Sequence, residues 1–179
     1  MDSIAELWAR LAPRVPEGLA PGVAEDEIRA AEQRIGVRFS EDLRASYLLH
    51  NGGPMPQVAG REWYVGEVLT LEELAGLHEG LMRSRDTWCE HDGPQDCGCE
   101  WYERNGQPVR QGNTWYRGWI PLIDNGDSEY WAVDLSPLVG GTLGQVIDVD
   151  RAGPPPEVVA PSWRSYLQGI ADGLDALGA

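Results

Sequence analysis

The stretch that decides the fold is WIPLIDNGDSEYWAVDL, residues 119–135. Its two ends are apolar and rich in β-forming residues, and the segment Asp124-Asn125-Gly126-Asp127 lies between them. An Asn-Gly pair between two apolar runs is the strongest short-range signal for a β-hairpin. A second turn is expected around Gly140-Gly141, because another β-forming run follows at residues 145–149. The C-terminal half is therefore predicted to hold a hairpin-connected antiparallel meander.

Helices are predicted on both sides of this meander. Apolar residues recur at spacings of three and four, which is typical of a helix with one buried face. The predicted helices cover about residues 4–11, 24–35, 41–50, 71–82 and 163–177. Thr70 and Glu73 fit a capping box at the start of the fourth helix, and residues 62–69 are predicted to form a strand. The expected class is α+β, a mainly antiparallel sheet packed with N-terminal and C-terminal helices, in one domain spanning residues 1–179.

The charge of the chain narrows the choice of partner. Its 29 acidic residues outnumber its 14 basic residues, all of them arginine, which gives a net charge of −15. Such a surface repels nucleic-acid phosphates and anionic lipids and favours basic proteins, although simple solubility is the alternative explanation. The sequence has no apolar run of roughly 18 residues, and its N-terminus lacks the pattern of a signal peptide. We therefore expect a cytoplasmic protein that binds neither membrane nor nucleic acid.

No catalytic residues are predicted. The chain has no Gly-x-Ser-x-Gly nucleophile motif, and the glycine-rich segment at residues 140–144 precedes a predicted strand rather than the helix that a phosphate loop needs. His50 ends a predicted helix and is expected to have a capping or packing role. His78 lies in a predicted helix beside Glu79, and neither histidine is predicted to be catalytic. The acidic segment 124–129 lacks the spacing of an EF-hand calcium loop. The sequence thus favours a protein that is not an enzyme.

The three cysteines form the most unusual cluster. Cys89, Cys97 and Cys99 lie within 11 residues, and His91 lies among them. Three thiolates and an imidazole can hold one structural zinc ion in tetrahedral geometry. The spacing differs from the usual Cys-x₂₋₄-Cys pattern, so reduced thiols or a disulfide from Cys89 remain alternatives. The cluster lies in residues 84–117, which are predicted to be an irregular insertion.

The aromatic residues suggest a binding surface. The chain has eight Trp and six Tyr but one Phe, and Trp and Tyr are enriched at interface hot spots. Trp8, Trp131 and Trp163 fit apolar faces and are expected in the core. The aromatic residues in or beside irregular segments are predicted to contact a partner: Trp63, Tyr64, Trp101, Trp115 and Tyr116.

An ordered series of short motifs resembles one known family. The motifs are PGV at 21–23, LRASYLLHNG at 43–52, LTLEEL at 69–74, WIP at 119–121, WAVDL at 131–135, GQV at 144–146 and APSW at 160–163. In this order they resemble the Smi/Knr family of the SUKH superfamily, over roughly residues 3–175. Ser40 stands where that family commonly has proline, and the cysteine cluster is not part of the family pattern.

The resemblance implies a binding role. Fungal members are regulators of cell-wall and glucan assembly, and bacterial members resemble immunity proteins that neutralise polymorphic toxins, many of them nucleases. The leading hypothesis is therefore a non-enzymatic immunity protein or a related regulatory adaptor, with a basic toxin domain as its partner. Two alternatives stay open: a metal-binding sensor or enzyme centred on residues 89–99, and a scaffold like the cell-wall regulators.

Overall fold

The structure is a computed structural model that describes residues 1–15, 18–56, 66–92, 106–110, 115–126, 128–151 and 154–178, without the side chains of 87–92 and 178. The helices of this part are α1 (Ile4–Leu11), α2 (Glu25–Ile35), α3 (Glu41–Leu49), α4 (Leu71–Asp92) and α5 (Trp163–Gly178), with a 3₁₀ turn at Ala12–Arg14. The strands are β1 (Gly53–Pro54), β2 (Glu67–Val68), β3 (Trp119–Gly126), β4 (Glu129–Asp134), β5 (Gln145–Asp150) and β6 (Glu157–Ala160).

The strands form one antiparallel sheet in the order β1-β2-β3-β4-β5-β6. Together with the five helices it confirms the predicted α+β class and the meander. The β3–β4 pairing extends into the predicted turn segment 124–127, because Gly126 lies opposite Glu129. The two edge strands β1 and β6 were not predicted. Each is short and adjoins proline, so its period-2 pattern is too brief to recognise.

Local capping signals explain where the helices begin. Ser3 accepts a hydrogen bond from the Glu6 backbone, and the Glu6 carboxylate accepts one from the Ser3 backbone. Thr70 and Glu73 make the same reciprocal pair before α4. These capping boxes satisfy backbone N–H groups that a helix start otherwise leaves unpaired. The predicted helix starts are confirmed at both places.

The length of α4 differs from the prediction. The helix was expected to end near Met82, with irregular structure from residue 84, but it continues to Asp92. No Gly or Pro interrupts residues 83–92, and Gly93 and Pro94 follow. Because the breakers come only at that point, the helical backbone continues through ten polar and aromatic residues that lack a clear apolar period.

One face of the sheet carries the main core. Helices α1, α2, α3 and α5 and the first turns of α4 bury their apolar sides there, against Ile120, Val133 and Val146 of the central strands. The register shifts between Pro121 and Ile123. This bulge lets Leu122 and Ile123, which are consecutive, both join the same cluster.

A buried serine connects three helices within this core. Ser46 of α3 is 5% exposed, and its hydroxyl accepts hydrogen bonds from Trp8 Nε1 of α1 at 2.6 Å and Trp163 Nε1 of α5 at 2.9 Å. Large aromatic residues can be buried this way because their polar atoms find a partner. The prediction that Trp8 and Trp163 belong to the core is confirmed.

The opposite face of the sheet holds a second, smaller cluster. It consists of Leu81, Met82, Val109, Trp115, Trp119, Ala132, Ile147 and Val149. Helix α4 reaches both clusters, since Leu74 packs in the first and Leu81 in the second. Both faces of the central strands are therefore covered over part of their length, which explains the consecutive apolar residues at 119–123 of β3 and 130–133 of β4.

Candidate functional site

A groove opens on the main-core side of the sheet, between α5 and the edge strand β6. We call it the α5–β6 groove. Its volume is about 250 Å³, and it is lined by Met55, Pro56, Trp131, Val159, Ala160, Pro161, Ser165, Tyr166, Gly169 and Ile170. Most of the lining side chains are apolar, and Ser165, Tyr166 and Trp131 add polar atoms to the lining.

Stacked aromatic rings form the wall and floor of the groove. Tyr166 lies edge-on to Trp131, with ring centroids 5.1 Å apart, and stacks on Trp163 at 5.2 Å. Trp131 is 2% exposed and confirms the prediction that it belongs to the core. Gly169 faces the opening, because a Cβ atom added there would meet nothing within 4 Å. The groove thus has a base of packed aromatic rings and is open at α5.

Four carboxylates continue from the floor of this groove. Asp148 lies opposite Trp131 on one side and opposite Glu157 on the other, and Asp150 lies opposite Glu129. Directly paired residues of antiparallel strands point to the same face. We call Glu129, Asp148, Asp150 and Glu157 the acidic row. It begins where the apolar lining ends, on the same face of the sheet.

The acidic row is electrostatically unfavourable. Burial, followed by the negative charges of the other three members, raises the pKa of Asp148 to about 6. Glu129, Asp148 and Glu157 take part in none of the ion pairs seen within the described ranges. Like charges on paired strands destabilise a sheet, so the close approach of Asp148 to Glu129 and Glu157 is unfavourable.

Two of the predicted partner-contacting aromatics lie in the second cluster. Trp115 is 1% exposed, donates a hydrogen bond from Nε1 to the Trp119 carbonyl at 2.9 Å, and packs edge-on against Tyr130. Tyr116 is half-buried on Trp119, and the Arg110 guanidinium lies 5.3 Å from its ring centre. In this conformation the Trp115 side chain contributes to packing and presents no surface to a partner.

The other predicted site residues lie outside the described residues. They are Trp63, Tyr64, Trp101, Cys97 and Cys99, together with the side chains of Cys89 and His91, whose backbone belongs to α4. Among the residues that are described, no group of three or more His, Cys, Asp or Glu is arranged to hold a metal ion. The zinc site stays a prediction, and elemental analysis of the purified chain tests it.

The two described histidines have structural surroundings. His50 caps the end of α3 and packs edge-on against Trp8 at 5.2 Å. His78 is 1% exposed and donates from Nε2 to the Arg117 carbonyl at 2.9 Å. Burial lowers the pKa of His78 and thus favours its neutral form. Neither imidazole lines the α5–β6 groove, and the position of His50 at the end of α3 against Trp8 agrees with the capping or packing role expected for it.

Sequence reasoning missed the acidic row. Its members are spread over residues 129–157 and meet only when β4, β5 and β6 pair. A partial signal exists, because Asp148 and Asp150 alternate with apolar residues and therefore share a face of β5. That pattern does not show that Glu129 and Glu157 lie on either side of them.

Comparison with known proteins places the chain in a family. A model of the SMI1 / KNR4 family (SUKH-1) matches residues 22–169. The chain is similar to the cell wall assembly regulator SMI1 of Saccharomyces cerevisiae, with 21% identity in an alignment of 189 residues that covers 92% of this chain and 37% of that protein. A KNR4/SMI1 homolog from Yarrowia lipolytica is 43% identical over 58 residues, 32% of this chain and 8% of that protein.

The chain spans well under half the length of both relatives. No helix in the described ranges is both long and apolar enough to cross a membrane. The family model covers most of the sequence, including β6 and the first turns of α5, which border the α5–β6 groove. The resemblance inferred from the short motifs is confirmed, and the chain belongs to the SMI1/KNR4 family (SUKH-1).

Proposed function

We propose that this chain is a protein-binding module without chemistry of its own, and that it acts as an immunity protein for a toxin domain with a basic surface. The observation that carries the proposal is the acidic row, a set of neighbouring carboxylates that raises the energy of the free protein. A cationic partner would relieve that repulsion on binding. Membership of the SMI1/KNR4 (SUKH-1) family supports a binding role.

A nuclease toxin is the partner that fits this charge best. A nuclease must carry positive charge where it holds phosphates, so an acidic inhibitor can cover that same surface. The net charge of −15 would also steer the encounter over long distances. The inhibitor would then need no catalytic group, only a surface that complements the toxin.

A scaffold role in cell-wall assembly is the second candidate. It is favoured by the similarity to the yeast protein whose name describes a cell wall assembly regulator. This role also requires binding without chemistry, so the two candidates differ in the partner rather than in the mode of action. Binding to a basic toxin domain would support the immunity role over the scaffold role.

The test measures association with a purified basic nuclease toxin domain, ideally one encoded beside this gene. Electrostatic steering raises the association rate above the roughly 10⁵–10⁶ M⁻¹s⁻¹ of uncharged pairs, and this gain is lost in salt. We expect the association rate to fall steeply from low to high salt, while the dissociation rate changes little. An acidic partner, or a rate that is flat in salt, would contradict the proposal. So would enzymatic turnover that survives repurification.

A further inference from the structure

The groove and the acidic row adjoin each other, and together they have the composition of one docking surface. The floor residue Trp131 is the cross-strand neighbour of Asp148, so the apolar and acidic parts meet without a gap. Interfaces commonly combine an apolar centre with a charged border that selects the partner.

The size of the groove favours a side chain of a protein over a small-molecule ligand. Ligand pockets usually have volumes of roughly 300–1,000 Å³, and this groove is smaller, at about 250 Å³. It is also open along α5, where Gly169 leaves free space. One or two apolar side chains of an extended or helical segment would fill it.

The negative charges of the acidic row indicate the chemistry of the partner protein. A second copy of this chain would bring two acidic rows together, which costs free energy. Nucleic acid and anionic lipid are disfavoured for the same reason. A bare metal ion is disfavoured because the described carboxylates are not arranged as a metal site. Arginine or lysine remains, as the group that neutralises the row.

We infer that the α5–β6 groove and the acidic row bind a segment of a partner protein in which an apolar side chain is flanked by arginine or lysine. The apolar side chain enters between Tyr166 and Val159, and the basic side chain lies over Asp148 and Glu157. This inference rests on the proposed function and names the surface that would perform it.

The experiment selects ligands without assuming the identity of the partner. Short random peptides displayed on phage are selected on the immobilised full chain, and enriched peptides are synthesised with a fluorescent label and titrated by anisotropy. We expect enriched peptides to combine Arg or Lys with Leu, Met, Phe or Trp.

Substitutions then locate the bound peptide. Gly169→Met fills the groove from a helix position that has room for it, and should weaken binding by about tenfold or more. Val159→Arg is a second variant at an exposed position. It should have a similar effect, because it adds a like charge beside the basic peptide. Circular dichroism confirms that each variant is folded.

Two matched controls separate this site from general effects. Gly80→Met adds the same side chain to α4, where a Cβ atom meets only the tip of Arg83. Glu67→Gln removes an exposed acid from β2 of the same sheet. Both should leave affinity within about twofold of the unsubstituted chain. The double substitution Glu129→Gln, Glu157→Gln should weaken binding about tenfold at low salt and less at high salt.

The outcomes distinguish this inference from the proposed function. The surface assignment is overturned if no peptide is enriched, if the enriched peptides lack basic residues, or if Gly169→Met and Val159→Arg bind as tightly as the unsubstituted chain. If a toxin domain binds the Gly169→Met variant as tightly as the unsubstituted chain, the proposed function stands and only the assignment of the groove as the binding surface is overturned. If peptides bind in the groove but no basic toxin domain binds the chain, the groove is supported as a binding surface and the proposed function is contradicted.

Discussion

The helical layer, which consists of α1 to α5, differs from the acidic row in what surrounds its polar groups. In the helical layer, several carboxylates lie within ion-pair distance of an arginine, as for Arg10 with Asp172 and Arg44 with Glu32. The buried Ser46 hydroxyl there also has partners, the Trp8 and Trp163 indoles. In the acidic row, carboxylates lie beside one another instead. Ion pairs within the chain stabilise the fold, whereas a row of like charges is stabilised best by a cationic group of a partner.

The largest expected effect comes from removing the hydroxyl that satisfies two indoles. Ser46→Ala leaves Trp8 Nε1 and Trp163 Nε1 buried without an acceptor. Each unsatisfied buried donor costs about 1–3 kcal/mol, so we expect a loss of about 3 kcal/mol in the free energy of unfolding. Urea denaturation measures it. Ser165→Ala, which loses a more exposed hydroxyl contact on α5, is the control and should cost far less.

A smaller loss is expected from breaking the best-covered ion pair of the helical layer. Arg44 is 15% exposed and Glu32 is 12% exposed, so Arg44→Ala leaves a largely buried carboxylate without its partner. We expect a loss of about 1–2 kcal/mol, between the values for exposed and fully buried pairs. The same denaturation experiment applies. Arg34→Ala removes the more exposed pairs to Glu72 and Glu79 and should cost less; an equal loss would mean that burial is not the cause.

The smallest effect has the opposite sign. The pKa of Asp148 is raised to about 6 in the folded state from an ordinary value of 3.8. The folded state therefore binds this proton more tightly than the unfolded state, and stability falls as pH rises through that range. Asp148→Asn should stabilise the protein by about 1 kcal/mol above pH 6, after allowance for partial exposure, and by nothing below pH 4.

Thermal unfolding across this pH range checks the Asp148 prediction. Glu67→Gln is the control, because this acid is exposed on β2 and away from the row. Destabilisation by Asp148→Asn at neutral pH would show that the ionised carboxylate has a stabilising partner. The acidic row would then resemble the helical layer, and the comparison between the two regions would fail.

The parts of the fold predicted from sequence are those that depend on neighbouring residues. The start of α4 was predicted from Thr70 and Glu73, because a capping box involves only four consecutive positions. The β3–β4 hairpin was predicted from Asn125-Gly126, again a local signal. The end of α4 was not predicted correctly, because residues 83–92 contain neither a helix-breaking Gly or Pro nor a clear apolar face.

The aromatic residues show the same limit in the candidate site. Trp8, Trp131 and Trp163 were assigned correctly to the core because they fall on regular apolar stripes. Trp115 was predicted to contact a partner because its neighbours are irregular, yet its side chain is buried beneath Tyr130. An irregular backbone does not imply an exposed side chain, because a short connecting segment can still cover a sheet face.

By itself the sequence determined the class of the fold, the family and the excess of negative charge. These follow from local patterns, motif order and composition, none of which depends on distant contacts. Only the tertiary structure decided where that charge is unbalanced. Arginines from α1, α2 and α3 pair with several acids of the helical layer, whereas strand pairing brings Glu129, Asp148 and Glu157 together beside an open groove. Strand register sets which distant residues become neighbours, and that register forms only when the sheet assembles.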